Sequence, residues 1–291
     1  MATEIHLAVI GGSGLYNMPG LSDVERHTIP TPFGATSSPI VVGTLHGKRV
    51  AFLARHGEGH FITPAGIPNR ANIYALKMLG VRYIIGVNAC GSLREDYAPG
   101  DLVVPDQLFD YVTGSKRERS FFENGMVAHV SVADPFDAGL STQLYTSAQA
   151  IGATAHHGGT FLIEDGLRFA TRAESRIFKA WGCDIIGMTT APEAFLAREA
   201  EIAYATLAHI TDYDSWHESE EAVTVDIVMA TFRDNIKRVE QTLAHAIGAF
   251  DPSHVAPSHT ALDGAIMTAP HAQDKDAVER LKPILQRVLK L

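Results

Sequence analysis

Residues that can bind an anion stand directly after an apolar segment in the first quarter of the chain. Residues 50–54 (VAFLA) are apolar, and Arg55, His56 and Gly57 follow them. A guanidinium presents a planar fork of N–H donors that suits phosphate oxygens, and a histidine ring adds another N–H. We expect no matching acid beside this guanidinium, which favours an oxyanion pocket with phosphate as its ligand. Taken alone, Arg55 would as readily be a structural ion-pair partner.

Four other polar or glycine-rich clusters also follow apolar segments directly. They are GGSG (11–14), NACGS (88–92), MTT (188–190) and TDYD (211–214). Ligands of open α/β sheets bind outside the carboxyl ends of the strands. The clusters therefore converge at one crevice if their strands are neighbouring and mostly parallel. The backbone N–H groups of the glycine-rich cluster and the hydroxyls of Ser13 and Thr189 would then extend the anion pocket.

The last of these clusters contains two acidic side chains, Asp212 and Asp214. In an extended segment, residues two apart point the same way. Two carboxylates beside a phosphate repel it, so their best partner is a group rich in N–H donors, such as the edge of an aminopurine. Considered singly, Asp212 would be a capping residue and Met188 a core residue. Only the combination of clusters indicates a binding site.

Other nucleotide and metal sites find no support in the sequence. The GGSG cluster has the spacing of neither GxGxxG nor the Walker motif, which excludes dinucleotides and nucleoside triphosphates as ligands. No spacing of His, Cys and Asp residues indicates a metal site. We therefore expect neither a metal ion nor a cofactor.

The segments that position these clusters alternate between strand-like and helix-like patterns. Strands are predicted at residues 6–10, 39–45, 49–54, 82–87, 101–105, 160–163, 184–187 and 203–210, with a hairpin turn at 46–49. Helices are predicted at residues 71–80, 172–182, 192–201 and 220–250. The alternation predicts an α/β fold, a mixed twisted β-sheet flanked by helices. We expect a single domain over residues 1–291, with a core at 5–250 and a carboxyl-terminal segment at 251–291 that forms a loop (251–270) and a last helix (277–291).

The composition narrows the classes of partner. The chain has 291 residues, with 33 acidic residues against 24 lysines and arginines, for a net charge of −9. This balance argues against nucleic acid or an anionic membrane as a partner. The two cysteines, Cys90 and Cys183, are too few for a disulfide framework and indicate a reducing compartment. With no signal peptide and no membrane-spanning run evident, we expect a cytoplasmic location.

Longer strings carry a resemblance to a known family. They are GGSGL (11–15), TPFGATS (31–37), ARHGEGH (54–60), NRANIYALKMLGV (69–81), NACGSLREDYAPGDLVVPDQ (88–107), FATRAES (169–175), MTTAPEAFLAREAE (188–201) and TDYDSWHESEEAVTVD (211–226). The sequence resembles the purine nucleoside phosphorylase superfamily, and within it the methylthioadenosine phosphorylases. The resemblance extends from residue 11 to about residue 250.

The resemblance implies a pentosyltransferase with the nucleoside phosphorylase fold. Such an enzyme cleaves 5′-methylthioadenosine with inorganic phosphate, and it releases adenine and 5-methylthioribose 1-phosphate for purine and methionine salvage. Phosphate is a co-substrate, and no cofactor is implied. The family also implies a homotrimer or a dimer of trimers, in which a neighbouring chain closes each 5′ pocket. A phosphorylase for 6-oxopurine nucleosides or for purine nucleosides in general, a hydrolase and a non-catalytic purine-binding protein remain alternatives.

The resemblance also assigns site residues. The phosphate-binding residues are Ser13, Arg55, His56, Asn88, Ala89 (through its backbone N–H) and Thr189. The nucleoside-binding residues are Met188 under the ribose, Phe169 on the base, Asp212 and Asp214 on the purine edge, and Val225 and Val228 at the methylthio group, with His60 and His129 near the 5′ end or the subunit contact. We expect burial to raise the pKa of Asp212, which then carries the proton for purine N7, while Asp214 accepts from the N6 amine.

One segment departs from the family pattern. Residues 165–170 are DGLRFA, where the family usually has EGPRFS. Ala170 thus stands where a serine normally lies beside the base, so this departure bears on the base preference and not on the reaction type. Together with Val225 in the methylthio pocket, Ala170 is a candidate determinant of substrate specificity.

Overall fold

Eleven strands form one mixed sheet in the part of the chain that the computed structural model describes. The described residues are 4–12, 18–112, 118–123, 125–217 and 225–291, without the side chains at 225–228, 230 and 232–234. The strands are β1 (Leu7–Gly11), β2 (Ser22–His27), β3 (Ile40–Leu45), β4 (Lys48–Ala54), β5 (Tyr83–Ser92), β6 (Leu102–Val104), β7 (Gln107–Asp110), β8 (Ala155–His157), β9 (Thr160–Ile163), β10 (Ile185–Gly187) and β11 (Ala203–Asp212).

Seven α-helices accompany the sheet in the same described residues. They are α1 (Asn69–Met78), α2 (Ala138–Ala150), α3 (Arg172–Ala180), α4 (Thr190–Glu199), α5 (Val225–Ala249), α6 (Lys275–Arg280) and α7 (Lys282–Leu289). None of the helices examined is long and apolar enough to cross a membrane, within the residues that the structure describes.

The helices cover both faces of the sheet, and the alternation of side chains along the strands explains why. In β1, Leu7 and Val9 belong to one apolar cluster, which includes residues of α2 and α5. Ala8 and Ile10 belong to another, which includes residues of α1, α4 and α7. Because successive strand residues point to opposite faces, a strand that is apolar throughout requires a helix layer on each side. The predicted α/β fold is confirmed.

The strand β5 is the branch point of the sheet. The order is β2-β3-β4-β1-β5-β10-β9-β7, and β11 also pairs with β5 and connects it to β6 and β8. The strands β1, β4, β5 and β11 run parallel to their neighbours within this group. The strand β10, in contrast, runs antiparallel to β5. Of the strands whose ends carry the polar clusters, β10 therefore does not follow the expected parallel arrangement.

The predicted hairpin is confirmed. The strands β3 and β4 pair antiparallel with Leu45 opposite Lys48, so the turn consists of His46 and Gly47. Both residues have positive φ, 49° and 75°. Two consecutive residues with positive φ form the turn whose twist matches that of a two-stranded ribbon, and glycine makes the second position inexpensive.

Several elements differ from the sequence-based prediction. The pattern gave no indication of β2, β7, β8 or α2, because β2 is exposed and polar and α2 is rich in small residues. The predicted last helix at 277–291 is wrong in detail, since it is two short helices, α6 and α7. Pro283 lies in the first turn of α7, where its missing N–H costs nothing, but it could not continue α6.

Candidate active site

A cavity of about 270 Å³ lies where the sheet opens along one edge of β5. On that edge β1 pairs with Tyr83–Gly86 of β5, and β10 pairs with residues 91–92. Residues 87–90 lie between the two pairings and face no described strand on that side. The cavity is lined by residues that follow β1, β4, β9 and β11, by the ends of β10 and β11, and by the uncovered stretch of β5.

The direction of backbone groups in β5 places an N–H in this opening. The N–H of Tyr83 bonds to His6 O, and the N–H of Leu93 bonds to Asp184 O, each at 2.9 Å, so odd-numbered residues point toward this edge. Strand residues two apart direct their N–H and C=O groups the same way. The N–H of Ala89, midway between them, therefore points into the opening, and Ala89 lines the cavity.

The cluster at 188–190 lies at the cavity because of a strand direction that the sequence did not predict. Because β10 runs antiparallel to β5, its carboxyl end lies beside the middle of β5 and not beside its end. Asn88 Nδ2 accordingly donates to Thr189 Oγ1 at 2.9 Å, and Asn88 Oδ1 accepts from Thr206 Oγ1 at 2.7 Å. Since the Thr189 hydroxyl accepts from Asn88, its own hydrogen is available to a ligand.

The Arg55 guanidinium has an acidic partner, so the expectation of an unmatched cation is wrong. Its Nε and Nη2 atoms donate to the two carboxylate oxygens of Glu193, at 2.7 and 2.8 Å. Arg55 is 2% exposed and Glu193 0%. Tyr204 also donates its hydroxyl to Glu193, at 2.7 Å. The position of Glu193 in α4, 138 residues further along the chain, is why no local pattern revealed the pair.

Arg55 nonetheless lines the cavity and keeps some capacity for a ligand. Its Nη1 donates to Val87 O at 3.0 Å, which occupies one of the two hydrogens on that nitrogen. No described residue accepts the second hydrogen, which can therefore bond to an anion. The structure thus shows Arg55 both as an ion-pair partner and as part of the cavity wall, the two alternatives that its sequence position left open.

His56 also lines the cavity, but its ring is oriented otherwise than expected. Its Nδ1 lies 2.8 Å from Ile62 O. A carbonyl oxygen only accepts, so Nδ1 carries the hydrogen, and the neutral ring presents an acceptor at Nε2. Burial lowers the pKa of His56 to about 4, with a smaller contribution from the neighbouring Arg55 charge. At neutral pH His56 therefore offers a ligand a lone pair and not the expected N–H.

The two aspartates lie together in the cavity wall, although not as residues of an extended strand. Asp212 ends β11, and Asp214 follows in a turn with a φ of 51°. The N–H of Asp214 donates to Asp212 Oδ1 at 2.8 Å. Gly91 makes room for both, because a Cβ there would lie 3.1 Å from Asp212 Oδ1 and from Asp214 Cβ. A turn that binds its own first side chain brings the carboxyl groups together.

Both aspartates hold their protons more tightly than usual. Burial raises the pKa of Asp212, although hydrogen bonds from Thr211 and from the Asp214 N–H oppose the shift. Burial raises the pKa of Asp214 to about 6, and the hydroxyl of Ser175, which donates to it, limits this shift. The charge of Asp212 contributes to this raised pKa of Asp214. The burial of Asp212 thus agrees with the raised pKa expected for it, and the pKa of Asp214 is raised for the same reason.

A third carboxyl group in the cavity was not predicted. Glu164 directly follows β9, lines the cavity and is 9% exposed. Burial, with a smaller contribution from the charge of Asp214, raises the pKa of Glu164 to about 7. The rule applied to the other clusters, that polar residues after an apolar strand face the ligand, would have found Glu164, which follows the strand residues 160–163.

Of the residues assigned to the nucleoside, the structure brings some to the cavity and not others. Phe169, Met188 and His60 line it, and His60 stacks on His56 with ring centroids 4.3 Å apart. Ala170 is buried in an apolar cluster with Phe178 and is not among the lining residues.

His129 is exposed and lies outside the cavity wall. Ser13 lies outside the described residues. The side chains of Val225 and Val228 also lie outside them, although α5 begins at Val225 and its Ile236 lines the cavity. Within the part of the chain that the structure describes, no group of three or more His, Cys, Asp or Glu side chains is placed to hold a metal ion.

The comparison with known sequences defines the class of protein to which this cavity belongs. Residues 6–249 match the Phosphorylase superfamily, so the chain belongs to this family. It is 50% identical over 281 residues to the S-methyl-5′-thioadenosine phosphorylase of Chloroflexus aurantiacus, covering 97% of each chain.

Solved structures show the same similarity. The methylthioadenosine phosphorylase sourced from an antarctic soil metagenomic library has a TM-score of 0.92 and 43% identity, with 97% of this chain and 99% of that chain covered. The methylthioadenosine phosphorylase from Schistosoma mansoni in complex with adenine has a TM-score of 0.83 and 35% identity, with 94% and 100% covered. The nucleoside phosphorylase type of fold is therefore confirmed.

Proposed function

We propose that this protein catalyses the phosphorolysis of 5′-methylthioadenosine, in which inorganic phosphate displaces adenine and 5-methylthioribose 1-phosphate forms. The observation that carries the proposal is the presence of two different chemistries in one cavity. Arg55, Ala89 and Thr189 offer hydrogen-bond donors at one part of the wall, and Asp212 and Asp214 offer carboxyl groups at another. The relatives named for this reaction, matched over nearly the whole chain, support the same conclusion.

The phosphate in this proposal is a co-substrate held by neutral and charged donors, and no cofactor is invoked. The Thr189 hydroxyl, the Ala89 N–H and the second Nη1 hydrogen of Arg55 donate to its oxygens. His56 contributes differently, because its Nε2 accepts. It would accept a hydrogen bond from the hydroxyl of a protonated phosphate and so orient that phosphate toward C1′. Asn88 positions Thr189 through its amide. Ser13 remains a predicted phosphate ligand.

The base in this proposal lies against the two aspartates. Phosphorolysis develops negative charge on the departing purine, so a proton donor at N7 stabilises the transition state. Asp212, with its raised pKa, supplies that proton. Asp214 has a pKa of about 6, so it is mainly ionised at pH 7 and accepts from the N6 amine. Phe169 packs on the base and Met188 under the ribose, while Val225 and Val228 are proposed for the methylthio group.

The assembly and the location are further parts of the proposal. A homotrimer or dimer of trimers, with a neighbouring chain closing the 5′ pocket, agrees with exposed apolar side chains next to lining residues. Phe61 is 73% exposed beside His60, and Leu167 is 80% exposed two residues before Phe169. The cytoplasmic location stays a prediction.

The test of the reaction is adenine release from 5′-methylthioadenosine with and without phosphate. Release that depends strictly on phosphate supports phosphorolysis, whereas equal release without phosphate indicates a hydrolase. No release with tight adenine binding indicates a purine-binding protein. Asp212→Asn should abolish most turnover, while the matched control Asp23→Asn, at an exposed position of β2, should not. Faster cleavage of methylthioinosine would assign the enzyme to 6-oxopurine nucleosides instead.

A further inference from the structure

Glu164 is fixed at a defined place in the cavity. Its backbone N–H donates to Gly187 O at 2.9 Å, so it continues the pairing of β9 with β10. Across the sheet, β11, β5, β10 and β9 follow one another. Asp212 at the end of β11 and Glu164 after β9 therefore approach the cavity from opposite sides, and both line it.

No described contact gives the carboxyl group of Glu164 a role in stabilising the fold. Among the described residues it takes part in no ion pair and no side-chain hydrogen bond. Arg168 is near enough to lower the pKa of Glu164, but its guanidinium is bound to both carboxylate oxygens of Glu174, at 2.7 Å each. A buried carboxyl without a structural partner costs stability, so a ligand in the cavity is the natural recipient of its hydrogen bond.

We propose that Glu164 is a base-selecting residue that hydrogen-bonds the six-membered ring of the bound purine at N1. This inference rests on the proposed function, in which Asp212 and Asp214 bind N7 and the N6 amine. In the same purine, N1 adjoins C6 in the six-membered ring and faces away from N7, toward the side of the cavity that β9 supplies. A carboxyl group is both donor and acceptor when protonated and only an acceptor when ionised.

The protonation state of Glu164 then sets the choice of base. N1 of a 6-aminopurine is an acceptor, so it needs the protonated acid. N1 of a 6-oxopurine carries a hydrogen, so it suits the carboxylate. The pKa of Glu164 is raised to about 7, chiefly by burial. The charges of Asp214 after β11 and Glu174 in α3 contribute to this rise, and the charge of Arg168 opposes it. Near neutral pH both forms exist, and adenine should select the protonated one.

The test is titration calorimetry of adenine and hypoxanthine with the wild-type protein and Glu164→Gln, at pH 6.5 and 8.0. If adenine binds only with protonated Glu164, a pKa of about 7 weakens wild-type binding roughly eightfold between the two pH values. Ionisation of Asp214, which has a pKa of about 6, acts in the opposite sense and leaves about a sixfold loss. Hypoxanthine should bind more tightly at pH 8.0 than at pH 6.5.

Glu164→Gln provides the matched control because an amide N–H donates to N1 at any pH. It should bind adenine nearly as tightly as the wild type does at pH 6.5 and should lack the sixfold loss at pH 8.0, while effects of Asp212 and Asp214 persist in both proteins. The same pH dependence in wild type and variant, or hypoxanthine binding that weakens with pH, overturns the proposal for Glu164.

These binding measurements do not require turnover, so they separate the two proposals. Adenine binding with the predicted pH dependence but no phosphorolysis would reject the proposed function alone. Phosphorolysis with pH-independent adenine binding would reject the role of Glu164 alone. If Glu164→Gln does not fold, the wild-type comparison of adenine with hypoxanthine still decides the matter, because it needs no variant.

Discussion

The buried Arg55–Glu193 pair allows folding and phosphate binding to be separated by mutation. The two side chains are 2% and 0% exposed and share two hydrogen bonds of 2.7 and 2.8 Å. Arg55→Met removes the cation and leaves the Glu193 carboxylate buried without its partner. Removing one partner of a buried ion pair costs about 3–5 kcal/mol. We expect the variant to lose this much free energy of unfolding.

The double variant Arg55→Met/Glu193→Gln should recover most of that stability. Both sites are then neutral, and the amide oxygen still accepts from the Tyr204 hydroxyl, which bonds to Glu193 at 2.7 Å. The carbonyls of Ile10 and Val87, which accept from Arg55, lose their partner. This loss leaves a residual cost of about 1–2 kcal/mol.

Phosphate binding should not recover with stability. A hydrogen bond to a charged group contributes about 1.5–3 kcal/mol, so the phosphate KM should rise about 10- to 150-fold in both variants. The measurements are urea unfolding at pH 7 and adenine release from 5′-methylthioadenosine at varied phosphate, with Glu193→Gln alone as the variant that keeps the guanidinium. A double variant with the wild-type phosphate KM would falsify the role of Arg55 in phosphate binding. Equal stability of the single and double variants would show that Glu193 does not depend on Arg55.

Three more predictions follow from the acidic part of the cavity. The folded pKa of Asp214, about 6, lies above its unfolded value, so ionisation of Asp214 opposes folding as the pH rises through 6. In urea at pH 8, Asp214→Asn should therefore have a free energy of unfolding about 1–3 kcal/mol higher than that of the wild type. The variant should nevertheless be less active on 5′-methylthioadenosine. The wild-type kcat/KM should fall as the pH drops below about 6, where Asp214 gains a proton, and a flat profile from pH 5 to 7 would contradict its role as an acceptor. Gly91→Ala places a methyl group 3.1 Å from Asp212 Oδ1 and should reduce kcat at least tenfold with little change in melting temperature. An unchanged kcat would mean that the positions of Asp212 and Asp214 do not depend on the space that Gly91 leaves.

Local patterns predicted those parts of the fold and the site that neighbouring residues determine. Apolar runs located most strands, and polar clusters at their ends located Arg55, Asn88 and Thr189 in one cavity. The hairpin at His46 and Gly47 follows from its two-residue turn. In each of these cases, the side chain and the strand that positions it are adjacent in sequence, so a short stretch of sequence is enough to predict the feature.

The remaining features of the fold and the site depend on pairing between segments that are distant in sequence, so a short stretch of sequence does not predict them. The antiparallel direction of β10, the partner of Arg55 and the tautomer of His56 each depend on segments that fold against one another. The helix α2 was missed because mostly hydroxyl-bearing and polar residues separate Leu140, Leu144 and Ala148, whose four-residue spacing packs the helix on the sheet. Asp137, which caps its first turn, was the available signal.

The uncovered edge of β5 makes the ligand a structural component of the sheet. Elsewhere a neighbouring strand protects the backbone amides of β5, but at residues 87–90 solvent or substrate must take that place on one edge. Slow amide hydrogen exchange should therefore extend along β5 with a gap at Ala89, whose N–H points into the opening, when the protein is empty. The gap should close when phosphate binds. In the same way a bound ligand raises the free energy of unfolding, by about 2.7 kcal/mol at a concentration of 100 Kd. The concentration of substrate and the stability of the folded protein are thus linked, because the ligand bonds to the part of β5 that no neighbouring strand covers.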